Sequence, residues 1–331
     1  MADTALLLDS TTVMPEGLVE RHGVTVIPVP IHAGGKEYRD GVNITPEQFM
    51  SLLETSRERP STAVPGLGEF ISYYERLLQY HKNLVYPVPS LRLSGLFDAA
   101  IQAAEQVQNA TVLAIDPPED WQKDLYAVRS NDPGLRDQLA GISQLEPPIV
   151  AVMDTGYASG ASGLVAMAGL LAINEGKALD GVIQRMITAK KGTNIYLVLA
   201  TLEYLVDRVG QLRAFLGTLL RIRPILTFKD GWLVDAARIR SMRQAKRRMI
   251  ELVNERTGDK PIHAFVLHSL APEEATALLE QVQRELNVRD SWAGGIGASV
   301  SRYTGRGGLG IAFTEVSSTN SLEGVWGTKD G

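Results

Sequence analysis

Compact apolar runs alternate with stretches of helical period through the first half of the chain. Ala5–Leu8 is an unbroken apolar run that ends in Asp9-Ser10-Thr11, and Val24–Ile31 is a second run rich in β-branched residues. Runs of this length predict strands buried on both faces, as in a parallel sheet. Leu84–Val88 and Ile149–Met153 extend the set. Between them, apolar residues at helical spacing predict a short helix at Leu18–His22 and longer ones at Leu67–Tyr80, Leu96–Val107 and about Gly163–Asn174. Thr45-Pro46-Glu47-Gln48 has the residues of a capped helix start, with Thr at the cap and Pro in the first turn. Strands alternating with helices imply βαβ units, in which ligands sit beyond the carboxyl ends of the strands. The polar clusters Asp9-Ser10-Thr11, Ser90–Gly95 and Asp154-Thr155-Gly156 each follow a predicted strand, so they are expected at one edge of the sheet.

From about Asn194 the pattern changes. Tyr196–Ala200, Pro224–Phe228, Trp232–Ala236, His263–His268 and Leu309–Phe313 read as strands, with helices at Met242–Glu255 and Pro272–Leu286. Lys229-Asp230-Gly231 is a hairpin signal. The expected organisation is an α/β protein of two domains. Residues 1–192 form a Rossmann-like parallel-sheet domain, and residues 193–331 an α+β domain with a mainly antiparallel sheet. Residues 109–148 are rich in Pro, Asp, Gln and Arg and read as an inserted surface segment.

Composition narrows the function. The 331 residues are 44% hydrophobic and 21% charged, with a formal net charge of −5, which speaks against a dedicated nucleic-acid binder. The chain has no cysteine, so thiolate catalysis, thiolate metal sites and disulfides are excluded. The start carries acids at Asp3 and Asp9 and lacks the basic stretch of a signal peptide. The longest apolar run, Ile195–Val206, is broken by Thr201 and Glu203 and is too short to span a bilayer, so a cytoplasmic location is expected. His263 and His268 fall on opposite sides of one strand and no carboxylate cluster accompanies them, so no metal site is expected.

An ordered series of motifs resembles the DegV family. Leu8-Asp9-Ser10-Thr11 is similar to its opening motif, and the block from Tyr38 through Arg39, Asp40 and Gly41 to Thr45-Pro46 matches its Y-R-D-G-x-x-I-T. Ser61-Thr62-Ala63-Val64-Pro65 stands where the family has T-S-Q-P, and Leu93-Ser94-Gly95 resembles its L-S-G-T. Asp154-Thr155, Leu202-Glu203-Tyr204-Leu205, the run from Leu216 to Leu226, and Asp230-Gly231 through Arg240-Ser241 complete the series. This resemblance implies a two-domain fold with a long-chain fatty acid buried between the domains and no enzymatic activity of its own. It implies a carboxylate held by hydroxyls near Thr62 and Ser94, with Ser90 a weaker candidate. It also implies an acyl-kinase partner, a FakA-like subunit, for the members called FakB, with transient contact at a membrane surface.

Two departures matter. The family's H-x-G-P-G becomes Tyr303-Thr304-Gly305-Arg306-Gly307, so Tyr303 replaces the His and Arg306 is a candidate source of positive charge. The G-G-R-I segment becomes Val209-Gly210-Gln211-Leu212, with Arg208 and Arg213 flanking it. Arg240 and Arg208 are the candidate partner-docking residues. The basic run of Arg238, Arg240, Arg243, Lys246, Arg247 and Arg248 reads equally as a solvated helix face. Asp9, Ser10, Thr11, Asp154 and Thr155 are expected at the pocket edge.

Other readings stay open. Thr62 and Ser94 stand just before helices and can serve simply as caps. Asp9 and Ser10 suggest a hydrolase, although G-x-S-x-G and P-loop motifs are missing. A lipid sensor or scaffold without a kinase partner is a third reading.

Overall fold

The computed structural model describes residues 2–56, 59–121, 123, 125–201 and 223–316. The chain opens with β1 (Thr4–Asp9), α1 (Leu18–Arg21), β2 (Thr25–Ile27), β3 (Pro30–Ala33), β4 (Lys36–Arg39), α2 (Pro46–Thr55) and β5 (Ser61–Thr62). It continues through α3 (Leu67–Leu78), β6 (Asn83–Val88), α4 (Leu96–Ala104), β7 (Thr111–Ile115), β8 (Tyr126–Val128), α5 (Leu135–Ile142) and β9 (Ile149–Asp154). Helices α6 (Ser159–Asn174) and α7 (Leu179–Gly192) lead into β10 (Thr193–Val198). The remainder is β11 (Arg223–Lys229), β12 (Trp232–Ile239), α8 (Met242–Thr257), β13 (Ile262–His268), α9 (Pro272–Glu285), β14 (Val288–Gly295), α10 (Ala298–Thr304) and β15 (Leu309–Glu315).

Six strands form a parallel sheet in the order β2-β1-β6-β9-β7-β8. A second six-stranded sheet has the order β12-β11-β10-β15-β13-β14, antiparallel except for the β13–β14 pair. The two sheets match the expected parallel and mainly antiparallel halves.

Two expectations need correction. The run Val24–Ile31 is not one strand. β2 pairs with β1, whereas β3 turns away into a small antiparallel sheet, β4-β3-β5. Pro28 and Pro30 explain the break, because neither has an N–H to continue a ladder. The stretch 109–148 is not a surface insert either. β7 lies inside the parallel sheet between β9 and β8, with Val112–Ile115 buried. Its four-residue apolar run, Val112–Ile115, is flanked by a stretch rich in prolines and acids.

Helix α6 joins the two sheets. Every residue from Ser159 to Ile173 is buried, and a helix that is apolar all round has no face for water. It packs against β1 and β6 on one side and β10, β13 and β15 on the other. Gly163 permits this closeness: a Cβ there would stand 1.9 Å from the Val13 carbonyl oxygen. Among the described residues, no helix is long and apolar enough to cross a membrane.

Candidate functional site

Two adjoining cavities lie between the sheets. The first is an apolar chamber. Ile195, Leu197 and Leu199 from β10 and its end, Phe228 and Leu233 from the β11–β12 hairpin, and Leu267 from β13 supply its walls. The strands reach it with alternate side chains, because successive Cβ atoms point to opposite faces.

The second cavity is lined by hydroxyls. Thr11, Thr62, Ser94, Ser299 and Tyr303 stand on its wall beside Val64 and Leu96. Leu93, Ala158, Val300 and Tyr303 line both cavities, so the hydroxyl-lined space and the apolar one adjoin across these four residues. The oxygens of Thr62 and Tyr303 lie 3.3 Å apart. The Ser94 hydroxyl accepts from Leu96 N at 3.3 Å and keeps its own proton for donation. Ser94 is not the N-cap of α4, which is Gly95, although its hydroxyl meets the first amide of that helix. The capping reading fails for Thr62, which sits in β5 paired with Ile31, while α3 has no side-chain cap.

Asp40 holds this wall in place. Its carboxylate accepts from Ala298 N (2.9 Å), Ser299 N (3.2 Å) and the Ser299 hydroxyl at the start of α10, and from Ser10 Oγ at 3.0 Å. It therefore fixes the helix that carries Ser299, Val300 and Tyr303. Gly297 lets it approach, since a Cβ there would meet Asp40 Oδ2 at 2.9 Å. The Tyr38–Pro46 motif contained Asp40, but nothing in its local spacing announced a contact with residue 298.

This architecture has counterparts. A family model described as "Uncharacterised protein, DegV family" matches residues 3–316. The chain belongs to the DegV family. A DegV domain-containing protein of Streptomyces coelicolor is 26% identical over 315 residues, covering 94% of this chain and 98% of the relative. A DegV family protein from Thermus thermophilus, whose structure concerns fatty acid binding, superposes with a TM-score of 0.78 at 26% identity, covering 96% of this chain and 100% of its own. DegV of Bacillus subtilis, a fatty acid binding protein, shares the fold with a TM-score of 0.75 at 24% identity, with 96% and 100% covered.

Several candidate residues of this DegV chain lie elsewhere. Ser90 is fully buried and donates to Gly231 O at 2.8 Å, tying the β11–β12 hairpin to the parallel sheet. It does not line the hydroxyl cavity, and its hydroxyl ties the two sheets together. Arg306 also lies away from both cavities, reaching outward to Glu54 at 3.5 Å, half exposed.

Of the expected pocket-edge group, Thr11 lines the hydroxyl cavity, whereas Asp9 and Ser10 line none of the cavities described. Asp9 is fully buried and accepts from Thr11 N (2.8 Å), the Thr11 hydroxyl and Tyr86 OH (3.0 Å). Burial pushes its carboxyl above the usual range. Ser10 Oγ donates to Asp40 and accepts from Val29 N at 3.1 Å. These bonds shape the turn after β1 and do not prepare a nucleophile.

Asp154 and Thr155 border a separate polar cleft with Asp116, Arg129 and Lys190. Asp154 accepts from Leu91 N (3.2 Å) and Gly156 N (2.9 Å). Burial raises its pKa against the opposing pull of Lys190. Thr155 Oγ1 donates to Val88 O at 2.8 Å. Both residues thus line this polar cleft and not the hydroxyl cavity, and Phe228 is shared between the cleft and the apolar chamber.

His268 stands on the apolar chamber's wall, its Nδ1 accepting from Ala271 N at 3.3 Å, and burial lowers its pKa. Among the described residues no cluster of metal-ligating side chains occurs. Arg240 is exposed. Further along α8, Lys246 pairs with Glu274, Arg247 with Glu251, and Arg248 with Glu251 and Glu255, as on a solvated helix face. Arg208 and the 209–212 segment lie outside the described residues, as does most of the Leu202–Leu226 block.

Proposed function

We propose that this chain is a binding protein for a long-chain fatty acid. The acyl chain lies in the apolar chamber, and the carboxylate accepts hydrogen bonds from Thr62, Ser94 and Tyr303. The observation that carries this reading is that an apolar cavity and a hydroxyl-bearing one adjoin across Leu93, Ala158, Val300 and Tyr303. An amphiphile with one polar end and a long apolar body has that shape. Burying about fourteen methylenes contributes roughly 11 kcal/mol, from which the cost of ordering the ligand is subtracted. The carboxylate must be satisfied, or much of that gain is lost. Fatty acid binding by the Thermus thermophilus relative supports the same reading.

On this reading the protein presents the carboxylate to an acyl-kinase subunit of the FakA type. The family resemblance supports that step, and exposed Arg240 offers a cation for docking. Val64, exposed beside the hydroxyl cavity, fits loading at a membrane surface. A hydrolase reading is disfavoured because Ser10 and Asp9 are absent from the cavity walls.

Titration of the delipidated protein with palmitate tests the reading. Saturable binding is expected, weakened about tenfold in Thr62→Ala and in Ser94→Ala by loss of a hydrogen bond to a charged group. Absence of saturable binding in the unaltered protein contradicts it.

A further inference from the structure

Three helices begin at the hydroxyl-lined cavity, and their N-termini are not equivalent. Gly95 and Leu96 of α4, Ala158 before α6, and Ser299 of α10 all stand on its wall. The start of α10 is already occupied by the Asp40 carboxylate, which takes two of its amides. The first amide of α4 is met by the Ser94 hydroxyl. Neither α4 nor α6 has a side-chain cap at its N-cap residue, and at α6 no hydroxyl of the described residues meets the first amide: its N-cap is Ala158, which has nothing to offer.

A second observation points the same way. Ser159, the first residue of α6, is 7% exposed and lines the apolar chamber next to Ala158, which lines both cavities, and its Oγ is buried with no hydrogen-bond partner. Its backbone sits at φ 56°, a conformation that serine rarely adopts. Ser162, one turn on, is engaged with Thr155 at 2.9 Å and does not relieve it. A buried unpaired hydroxyl is costly, and so is the open end of a helix buried along almost its whole length.

The charge on the wall gives these facts a direction. The described residues lining the hydroxyl cavity include no Lys, Arg or His. The guanidinium of Arg302 lies behind the Tyr303 ring, 4.9 Å from its centroid, with Nε donating to Pro60 O. A carboxylate here therefore draws its compensation from oriented N–H and O–H dipoles. The open N-terminus of a long helix is such a source.

We propose that the N-terminus of α6 and the Ser159 hydroxyl form the anionic anchor of this site: one ligand carboxylate oxygen faces them while the other meets Thr62 and Ser94. The proposal rests on the fatty-acid reading and assigns the head group a residue that the motif comparison did not. It also accounts for the absence of a histidine at position 303, since the balancing field comes from the backbone.

The test compares palmitate with hexadecanol, which has the same chain and no charge, on unaltered protein, Ser159→Ala and Ser159→Gly. Ser159→Gly removes the hydroxyl while relieving the backbone, so misfolding cannot mimic the effect. The expected result is about a tenfold loss of palmitate affinity in both variants. Hexadecanol affinity stays within about twofold, and the lipid-free variants melt at or above the unaltered protein. Equal losses for acid and alcohol, or no loss of palmitate affinity, overturn the anchor and leave the fatty-acid reading intact. Failure of the unaltered protein to bind palmitate at all removes that reading itself.

Discussion

Each polar side chain around the site is committed either to the fold or to the cavity, and its hydrogen bonds tell which. Thr62, Ser94 and Tyr303 stand on the cavity wall, whereas the hydrogen bonds of Ser90, Asp9, Ser10 and Arg306 hold them elsewhere. Arg306→Ala is accordingly expected to leave palmitate affinity unchanged within twofold by titration calorimetry, because its partner is Glu54 on the outside. Asp154 makes a pH prediction. Its folded-state pKa is raised by burial, so its favourable contribution is complete below the ordinary carboxyl pKa and is lost as pH rises through the folded pKa. In Asp154→Asn that titration is absent, while the amide oxygen can still accept from Leu91 N and Gly156 N. Thermal melts across the acidic range are expected to show the unaltered protein gaining on the variant as pH falls. A constant difference would contradict the assignment.

At the scale of elements, the parallel strands and amphipathic helices were legible because their periods are clean. The α2 start is a full capping box between Thr45 and Gln48, as its residues announce. The interruptions were harder. Pro28 and Pro30 ended one ladder and began another sheet, and the short run of β7 was masked by its polar neighbours. β14 has an intermediate and exposed pattern throughout, so no apolar run marks it. Site residues were legible where a hydroxyl precedes a helix in a known motif, as at Ser94. Asp40 was not, because its partners at Ala298 and Ser299 come from the other end of the chain. Helix α6 owes its placement to small residues. Gly163→Ala forces a Cβ into the Val13 carbonyl and is expected to cost at least about 3 kcal/mol in denaturant unfolding.

Across the whole molecule, the two sheets enclose one another's apolar faces around α6, and the binding space lies where that shared core is incomplete. Leu8, Val165, Leu226 and Phe265 belong to one continuous hydrophobic cluster that spans both sheets. A ligand seated there contacts both sheets, so occupancy and stability are linked. Saturation at a hundred times the dissociation constant adds about 2.7 kcal/mol to folding. The central claim is that this space holds a fatty acid. The most direct measurement is mass spectrometry of the organic extract from freshly purified, never delipidated protein. Close to one equivalent of a long-chain fatty acid per chain is expected, falling sharply in Val300→Trp, which blocks the junction of the two cavities. An extract free of fatty acid, from protein that also takes up none when it is supplied, would contradict the account.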